Sequence, residues 1–454
     1  MGYQSLWVDE AYSWSFASSP VISLPQVLND FCVHPPFYFL LLHIWMAITG
    51  LDTEIYLRLF SVLISLLSIF AVKLAAEELF DNKTAWFSVF LMALSVREIY
   101  HGQEVRMYPL MTFLGAISYW SLLKLTRTNN RKYWLIYFFS SLALVYTHVF
   151  GIFSIIGQTF FLIFSQNKSF LKKWACCQGL IVLAWIPWGK IFLAQILAVE
   201  RYSWIKNHSF PEFIAWTNYF GSSSLTIYLL VLSALGIYFT RQRSFHLLFL
   251  GIWVLSPVLI AFIVELLYQP ILKPRYLIFS SVAFYIAAGH AISLLSDRRF
   301  FQTAAIGLFF ILSIFALKRY YFQFQRPDWR AAFHFINQNT ATDDQVLVVP
   351  NYLVSLATYY RRQGIRGFWN PDIGNYPTSD QIHELFKGQK RLWFSIGYGI
   401  PDYYTEPATM DFLQDVRSKL GTEYQIVSEN DFNGVLVVAI EEAAINKLPI
   451  IQQF

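Results

Sequence analysis

From residue 133 to residue 167 the chain carries no Asp, Glu, Lys or Arg. One continuous helix of that length would reach about 50 Å, well beyond the roughly 30 Å hydrocarbon layer of a bilayer. The run must fold back, and Gly151 marks the expected turn. Apolar stretches of similar character recur along the chain. The predicted crossings fall near 57–78, 84–99, 107–124, 133–149, 150–166, 175–197, 224–240, 246–266, 276–296 and 301–318. Composition agrees: 56% of residues are hydrophobic and 19% aromatic, and only 14% are charged. Soluble domains carry about 25% charged residues. The expected fold class is a polytopic α-helical membrane protein with about ten spans.

Short loops orient these spans. Arg127, Arg131 and Lys132 share one predicted side with Lys168, Lys172 and Lys173, with Arg241 and Arg243, and with Arg298 and Arg299. The positive-inside rule makes that side cytoplasmic. Lys273, Arg275, Lys318 and Arg319 fall on the other side, against the trend. A net charge of +5 needs no nucleic-acid partner to explain it, and none is expected. Cys32, Cys176 and Cys177 are spaced for neither a disulfide framework nor a metal site. The first residues lack the basic start and apolar run of a cleavable signal.

Three regions follow. Residues 1–56 read as an extracytoplasmic loop broken by prolines, with an interfacial helix over Phe37–Ile48 too short to cross. Residues 57–318 form the bundle. Residues 319–454 alternate β-like runs (Val346–Val349, Arg391–Ile396, Gly434–Ile440) with helix-like ones (Tyr352–Gln363, Ser379–Lys387, Met410–Leu420). They read as a small extracytoplasmic α/β domain.

The unusual polar residues collect on the outer side. Asp9 and Glu10 sit within Leu6-Trp7-Val8-Asp9-Glu10-Ala11-Tyr12, where ionised carboxylates near hydrocarbon are costly. Arg97 to Tyr108 joins two spans and brings Glu98, Glu104 and Arg106 to headgroup level. Arg106 is shaped to grip a phosphate, with Glu104 orienting it, positioning an acceptor or holding a divalent cation. His34-Pro35-Pro36 makes a stiff extended turn, and Lys273-Pro274-Arg275-Tyr276 opens a span. Plainer readings stand beside each. Arg and Tyr snorkel at helix ends, Lys273 and Arg275 anchor to lipid phosphates, His34 and His148 satisfy local hydrogen bonds, and Asp328 caps a helix.

Taken in order, Leu-Trp-Val-Asp9-Glu10-Ala-Tyr, His34-Pro35-Pro36-Phe-Tyr, Arg58-Leu-Phe-Ser, Gln103-Glu104-Val-Arg106-Met-Tyr108 and Pro274-Arg275-Tyr276 resemble glycosyltransferase family 39. That family holds the protein O-mannosyltransferases and their aminoarabinose-transferase relatives, of GT-C fold. The resemblance covers residues 1 to about 330. It implies a donor sugar on a polyprenyl phosphate, and transfer with inversion to a protein, lipid or glycan acceptor outside a cell (inner) membrane. It places catalytic carboxylates at Asp9, with Glu10 beside it, and at Glu104. Substrate-binding positions fall at His34, Arg106, Tyr108, Lys273 and Arg275. No cofactor is assigned, and a divalent cation, for which Asp9, Glu10, Glu104 and His34 could supply ligands, is left open. The family has a membrane helix just before the Asp-Glu motif, whereas Asp9 is preceded here by eight residues. Either the start is truncated or mis-assigned, or the first span is missing.

The expectation is therefore that Asp9, Glu104, Arg106 and Arg275 share one outer pocket. Two rival classes exist. A transporter or flippase of lipid-linked sugars would place charges near the membrane midplane and show repeats. A non-catalytic scaffold would leave these polar residues unexplained.

Overall fold

The computed structural model describes residues 2–31, 34–166, 168–197, 219–240, 244–268, 270–323, 326–341, 344–361, 376–385, 391–398, 407–418 and 424–442. Cys32, Arg241, Arg243 and most of the loop 198–223 lie outside the described residues. By compactness the chain forms two units. One is Met1–Ser15 with Gln323–Phe454, and the other is Phe16–Phe322.

After α1 (Val8–Ser18), the helical unit runs through α2 (Leu24–Phe31), α3 (Phe37–Thr49), α4 (Glu54–Leu79), α5 (Asn82–Ala93) and α6 (Val96–Gly102). It continues with α7 (Tyr108–Thr128), α8 (Arg131–Thr147), α9 (Phe150–Ser165), α10 (Lys168–Leu197), α11 (Ser223–Thr240) and α12 (Ser244–Leu267). A 3-10 turn (Pro274–Ser280) leads into α13 (Ser281–Leu294), and α14 (Arg299–Phe322) closes the unit. Six of these stretches are long and apolar enough to cross a bilayer. The protein is a multi-pass membrane protein, and helical segments lie over the predicted crossings, that over 84–99 in two pieces.

Local chemistry sets the breaks. The charge-free run turns at His148 and Val149, and a Cβ on Gly151 would press on the side chain and carbonyl of Leu144. Glycine is therefore needed there. The crossing predicted over 84–99 is not one helix: α5 ends at Ala93 and α6 starts separately at Val96. The apolar pattern hid this break because Ala93, Leu94 and Val96 read as continuing helix. Asp81 starts α5 by accepting from the Thr84 N–H at 2.7 Å. Aromatic packing fills the interior, with Tyr119 stacked on Trp253 at 4.0 Å and Phe249 edge-on to both. Helices α11 and α13 meet so closely at Gly236 that a Cβ there would collide with the Ala287 carbonyl oxygen. Small residues at such crossings let helix backbones approach.

The second unit carries α15 (Trp329–Asn339), β1 (Gln345–Val349), α16 (Val354–Arg361), α17 (Ser379–Leu385), β2 (Leu392–Gly397), α18 (Pro407–Ser418), β3 (Tyr424–Asp431) and β4 (Val435–Glu442). The sheet order is β1-β2-β4-β3. The β1–β2 pair is parallel and the other two pairs are antiparallel. Parallel neighbours need a crossover connection, which the helical segments between β1 and β2 supply. Asp328 caps α15 through the Ala331 N–H at 3.1 Å, as its sequence position suggested.

The α11–α13 crossing leaves no room for a side chain at Gly236. Gly236→Ala should force the two helices apart at a cost of roughly 1–3 kcal/mol. It should be read as a lowered melting temperature in detergent. Gly251→Ala, where a Cβ would meet open space, should leave the melt unchanged.

Candidate functional site

Within the helical unit, three distant stretches converge. His34 precedes α3, Glu104 and Arg106 lie between α6 and α7, and Arg275 lies in the 3-10 turn. The Arg106 guanidinium donates to His34 Nε2 at 3.1 Å, so His34 accepts there and carries its own proton on Nδ1. The His34 ring lies 5.0 Å from His148 and 6.1 Å from Tyr276, and His148 is 5.0 Å from Tyr276. Burial pushes the His34 pKa well down, and His148, Arg106 and Arg275 add to the effect. His34 is therefore neutral at physiological pH. Two guanidinium groups thus flank a pair of histidines that resist a second proton. Such a constellation is suited to an anion.

His101 sits beneath this cluster. Its Nδ1 is 2.8 Å from Glu104 Oε2, and its ring meets Tyr108 edge-on at 4.9 Å. Burial lowers the His101 pKa, while Glu104 pulls the other way. The contact is therefore best described as a neutral imidazole N–H donating to a carboxylate rather than as a full ion pair. Glu104 and Arg106 are both buried, at 1% and 4% exposure. Tyr108 is buried at the start of α7, with the Arg106 guanidinium 5.9 Å from its ring. Lys273 is half-buried at the entry to the 3-10 turn.

Arg97 and Glu98, within the singled-out stretch but assigned no role from sequence, hold this arrangement together. Arg97 donates to the carbonyl of Tyr219 at 2.9 Å and to that of Pro274, and its guanidinium lies 3.7 Å over the Tyr219 ring. Glu98 Oε1 lies 2.7 Å from the Ser281 hydroxyl and 3.3 Å from that of Tyr285. Glu98 also borders a cavity of about 180 Å³ whose lining includes Ser65, Gln103 and Tyr321. Burial raises the Glu98 pKa to about 7 against the pull of Ser281 and Arg97. The available sequence signal was two opposite charges inside a short link between apolar helices. Such a pair is expensive there unless both members are satisfied.

Asp9 and Glu10 belong to the other unit. Glu10 is fully buried and ion-paired to Arg326 at 2.7 Å, and it also accepts from the Trp7 N–H at 3.3 Å. This reach back to the residue before the helix caps the start of α1. Arg326 lies 5.5 Å from the Trp7 ring. Ser5 accepts from the Trp329 N–H and donates to the Pro327 carbonyl, while Arg330 donates to the carbonyls of Gly2 and Gln4. These contacts fix the first turn of α1, where Asp9 is largely buried. Its carboxylate stands at the positive end of the helix dipole.

The fold matches solved structures over most of its length. ArnT from Cupriavidus metallidurans in the apo state aligns with a TM-score of 0.64 at 13% identity, covering 95% of this chain and 93% of that one. The fold is of the ArnT-like GT-C type. ArnT bound to undecaprenyl phosphate aligns at 0.56, again at 13% identity, covering 96% and 94%. The archaeal oligosaccharyltransferase AglB from Archaeoglobus fulgidus, in complex with an inhibitory peptide and a dolichol-phosphate, aligns at 0.52 and 13% identity. That match covers 85% of this chain and 65% of AglB. Residues 33–189 match the family model of dolichyl-phosphate-mannose-protein mannosyltransferases. Among curated proteins, none is similar to this chain by sequence. One archaeal oligosaccharyltransferase structure holds zinc and sulfate. Among the described residues of this chain, however, no three His, Cys, Asp or Glu side chains stand close enough to share an ion. His101 and Glu104 offer two donors, already bonded to each other.

Two outcomes follow from these contacts. Glu10→Ala should cost roughly 3–5 kcal/mol of stability by leaving Arg326 buried without its carboxylate. Thermal unfolding would show this, and Arg326→Met in the same background should recover part of the loss. For Glu98, the folded-state pKa lies above the unfolded one. Its stabilising contribution is full below the unfolded value near pH 4.5 and is lost as pH rises toward 7. Wild-type stability measured across that window should fall relative to Glu98→Gln, which cannot titrate. Parallel curves would remove Glu98 from the balance.

Proposed function

We propose that this protein transfers a sugar from a polyprenyl-phosphate donor to an acceptor hydroxyl on the outer side of the membrane, with inversion at the anomeric carbon. The observation that carries the reading is the pairing of Arg106 and Arg275 around two neutral histidines in a chain of GT-C fold. Two relatives of that fold have been solved with undecaprenyl phosphate and with dolichol-phosphate. A phosphate monoester or diester is the anion that such a pair of guanidiniums suits.

The chemistry needs few groups. The acceptor hydroxyl oxygen attacks the anomeric carbon while the bond from that carbon to the phosphate oxygen breaks. Asp9 takes the hydroxyl proton, and polyprenyl phosphate departs with the bonding electron pair. Positioned general-base catalysis of this kind contributes about 10²–10⁴-fold. Arg106 and Arg275, with Lys273, stabilise the charge that grows on the leaving phosphate. Tyr108 and His34 shape the wall of the donor site. Glu104, held by His101, keeps the stretch bearing Arg106 in place. Glu10 acts through α1: its bonds to Arg326 and Trp7 fix the turn on which Asp9 stands. The acceptor is a protein, lipid or glycan hydroxyl, and the prenyl chain enters from the bilayer.

Transfer of radiolabelled sugar from a purified polyprenyl-phosphate sugar tests the reading directly and separates it from a flippase, which moves the donor intact. Asp9→Asn should reduce transfer at least 100-fold while donor binding and the melting temperature hold. A variant keeping more than about a tenth of the wild-type rate would take Asp9 out of the base role. Arg275→Ala should instead raise the apparent KM for donor. An unchanged donor KM would exclude its contact with the phosphate.

A further inference from the structure

His148 forms the link between α8 and α9 and is 1% exposed. Its main chain is satisfied by the turn: its N–H donates to the Leu144 carbonyl, and its carbonyl accepts from Gly151. Its Nδ1 accepts the Phe150 N–H at 3.1 Å, which fixes the tautomer with the proton on Nε2. That Nε2–H is buried and has no hydrogen-bond partner among the described residues. A buried donor left unsatisfied costs about 1–3 kcal/mol, and native structures rarely carry one without a use. A phenylalanine would pack as well against Phe150 and Tyr276 without that cost. The surroundings identify what the donor awaits. The ring packs in a triangle with those of His34 and Tyr276, and burial, with Arg106 and Arg275 nearby, disfavours a second proton on it. A neutral N–H donor within reach of two guanidiniums meets the needs of an oxyanion with several lone pairs.

We infer that His148 is a ligand-binding residue whose Nε2–H donates to a phosphoryl oxygen of the phosphate held by Arg106 and Arg275. The inference rests on the transferase reading above and adds to it a neutral donor at the phosphate subsite. His148 supplies direction and the arginines supply charge. The imidazole N–H is fixed by the Phe150 bond and accepts only one approach, so it selects a phosphate oriented along that line.

Two substitutions separate this role from a purely structural one. His148→Asn places an amide oxygen where Nδ1 was, keeping the Phe150 bond, but cannot reach the Nε2 position. His148→Gln reaches the Nε2 position with an N–H donor and gives up the Phe150 bond. The measurement is the Kd of the full-length protein in nanodiscs for undecaprenyl phosphate, with phosphate-free polyprenol and inorganic phosphate as separate arms. His148→Asn should weaken undecaprenyl phosphate binding roughly 10-fold or more, since a hydrogen bond to a charged group is lost. His148→Gln should stay within about 3-fold, and polyprenol binding should not change in either variant. The opposite order, Asn as wild type and Gln weakened, would show that His148 only secures the turn and would overturn the inference.

A second readout needs no substitution. The C2-hydrogen exchange of His148 in the wild-type protein, followed by mass spectrometry, should slow when undecaprenyl phosphate binds. Unchanged exchange with the lipid bound would also overturn the inference. Slowing by inorganic phosphate alone would assign the subsite to free phosphate rather than to a lipid headgroup. Wild-type protein that binds no undecaprenyl phosphate would instead defeat the parent reading, a result distinct from wild-type binding that His148→Asn leaves intact.

Discussion

The Arg97 guanidinium, lodged against the Tyr219 ring and bonded to the carbonyls of Tyr219 and Pro274, is the contact on which the helical unit's polar cluster depends. It ties α6 to the turn that carries Arg275. Beside it Glu98 binds the Ser281 and Tyr285 hydroxyls at the start and middle of α13. Neither residue can leave water cheaply, so each is held by the partners the fold supplies. The result is a clamp between two stretches more than 170 residues apart in sequence. Arg106 follows α6 by four residues and Arg275 follows Pro274 by one, so fixing the clamp fixes the spacing of the two guanidiniums.

Burial is the main reason the histidines nearby are neutral, and the two permanent cations add to it. His34 and His148 consequently act as oriented dipoles, one accepting from Arg106 and one with its N–H still to be used. The cluster thus joins two guanidiniums and the Glu104 carboxylate to histidines that stay neutral.

Much of the architecture was legible in the sequence because hydrocarbon imposes a length on every helix and forbids stray charge. The turn near Gly151 and the helix expected over Phe37–Ile48 followed from such rules, while the Asp328 cap and the α/β alternation after residue 320 followed from capping and strand patterning. What escaped had a physical cause in each case. The break between α5 and α6 passes through Leu94 and Ser95; Ser95 stands at the N-cap of α6 and accepts from the Tyr285 hydroxyl, a cap signal masked by the apolar residues around it. Strand β3 was missed because it pairs on one side only and alternates buried with exposed residues in a polar sequence, Tyr424-Gln-Ile-Val-Ser-Glu-Asn-Asp431. His148 read as a structural residue because its value depends on an unused nitrogen, which no spacing rule can reveal.

The Asp-Glu pair illustrates how one motif divides its labour. Both residues are acidic and adjacent, and from sequence either could serve a reaction. Glu10 is consumed by Arg326 and the Trp7 N–H, in a bond buried at both ends. The i, i+1 offset on a helix turns the neighbouring side chain by about 100°, so Asp9 cannot share that pocket. Burying one carboxylate against an arginine therefore constrains where the other points. The stability drawn from Glu10 is what makes the direction of Asp9 reproducible, and a base must be held within hydrogen-bond reach of its proton to be effective. In this chain the residue that fixes the helix and the residue proposed for the proton transfer are neighbours because a one-residue step is the shortest way to couple them.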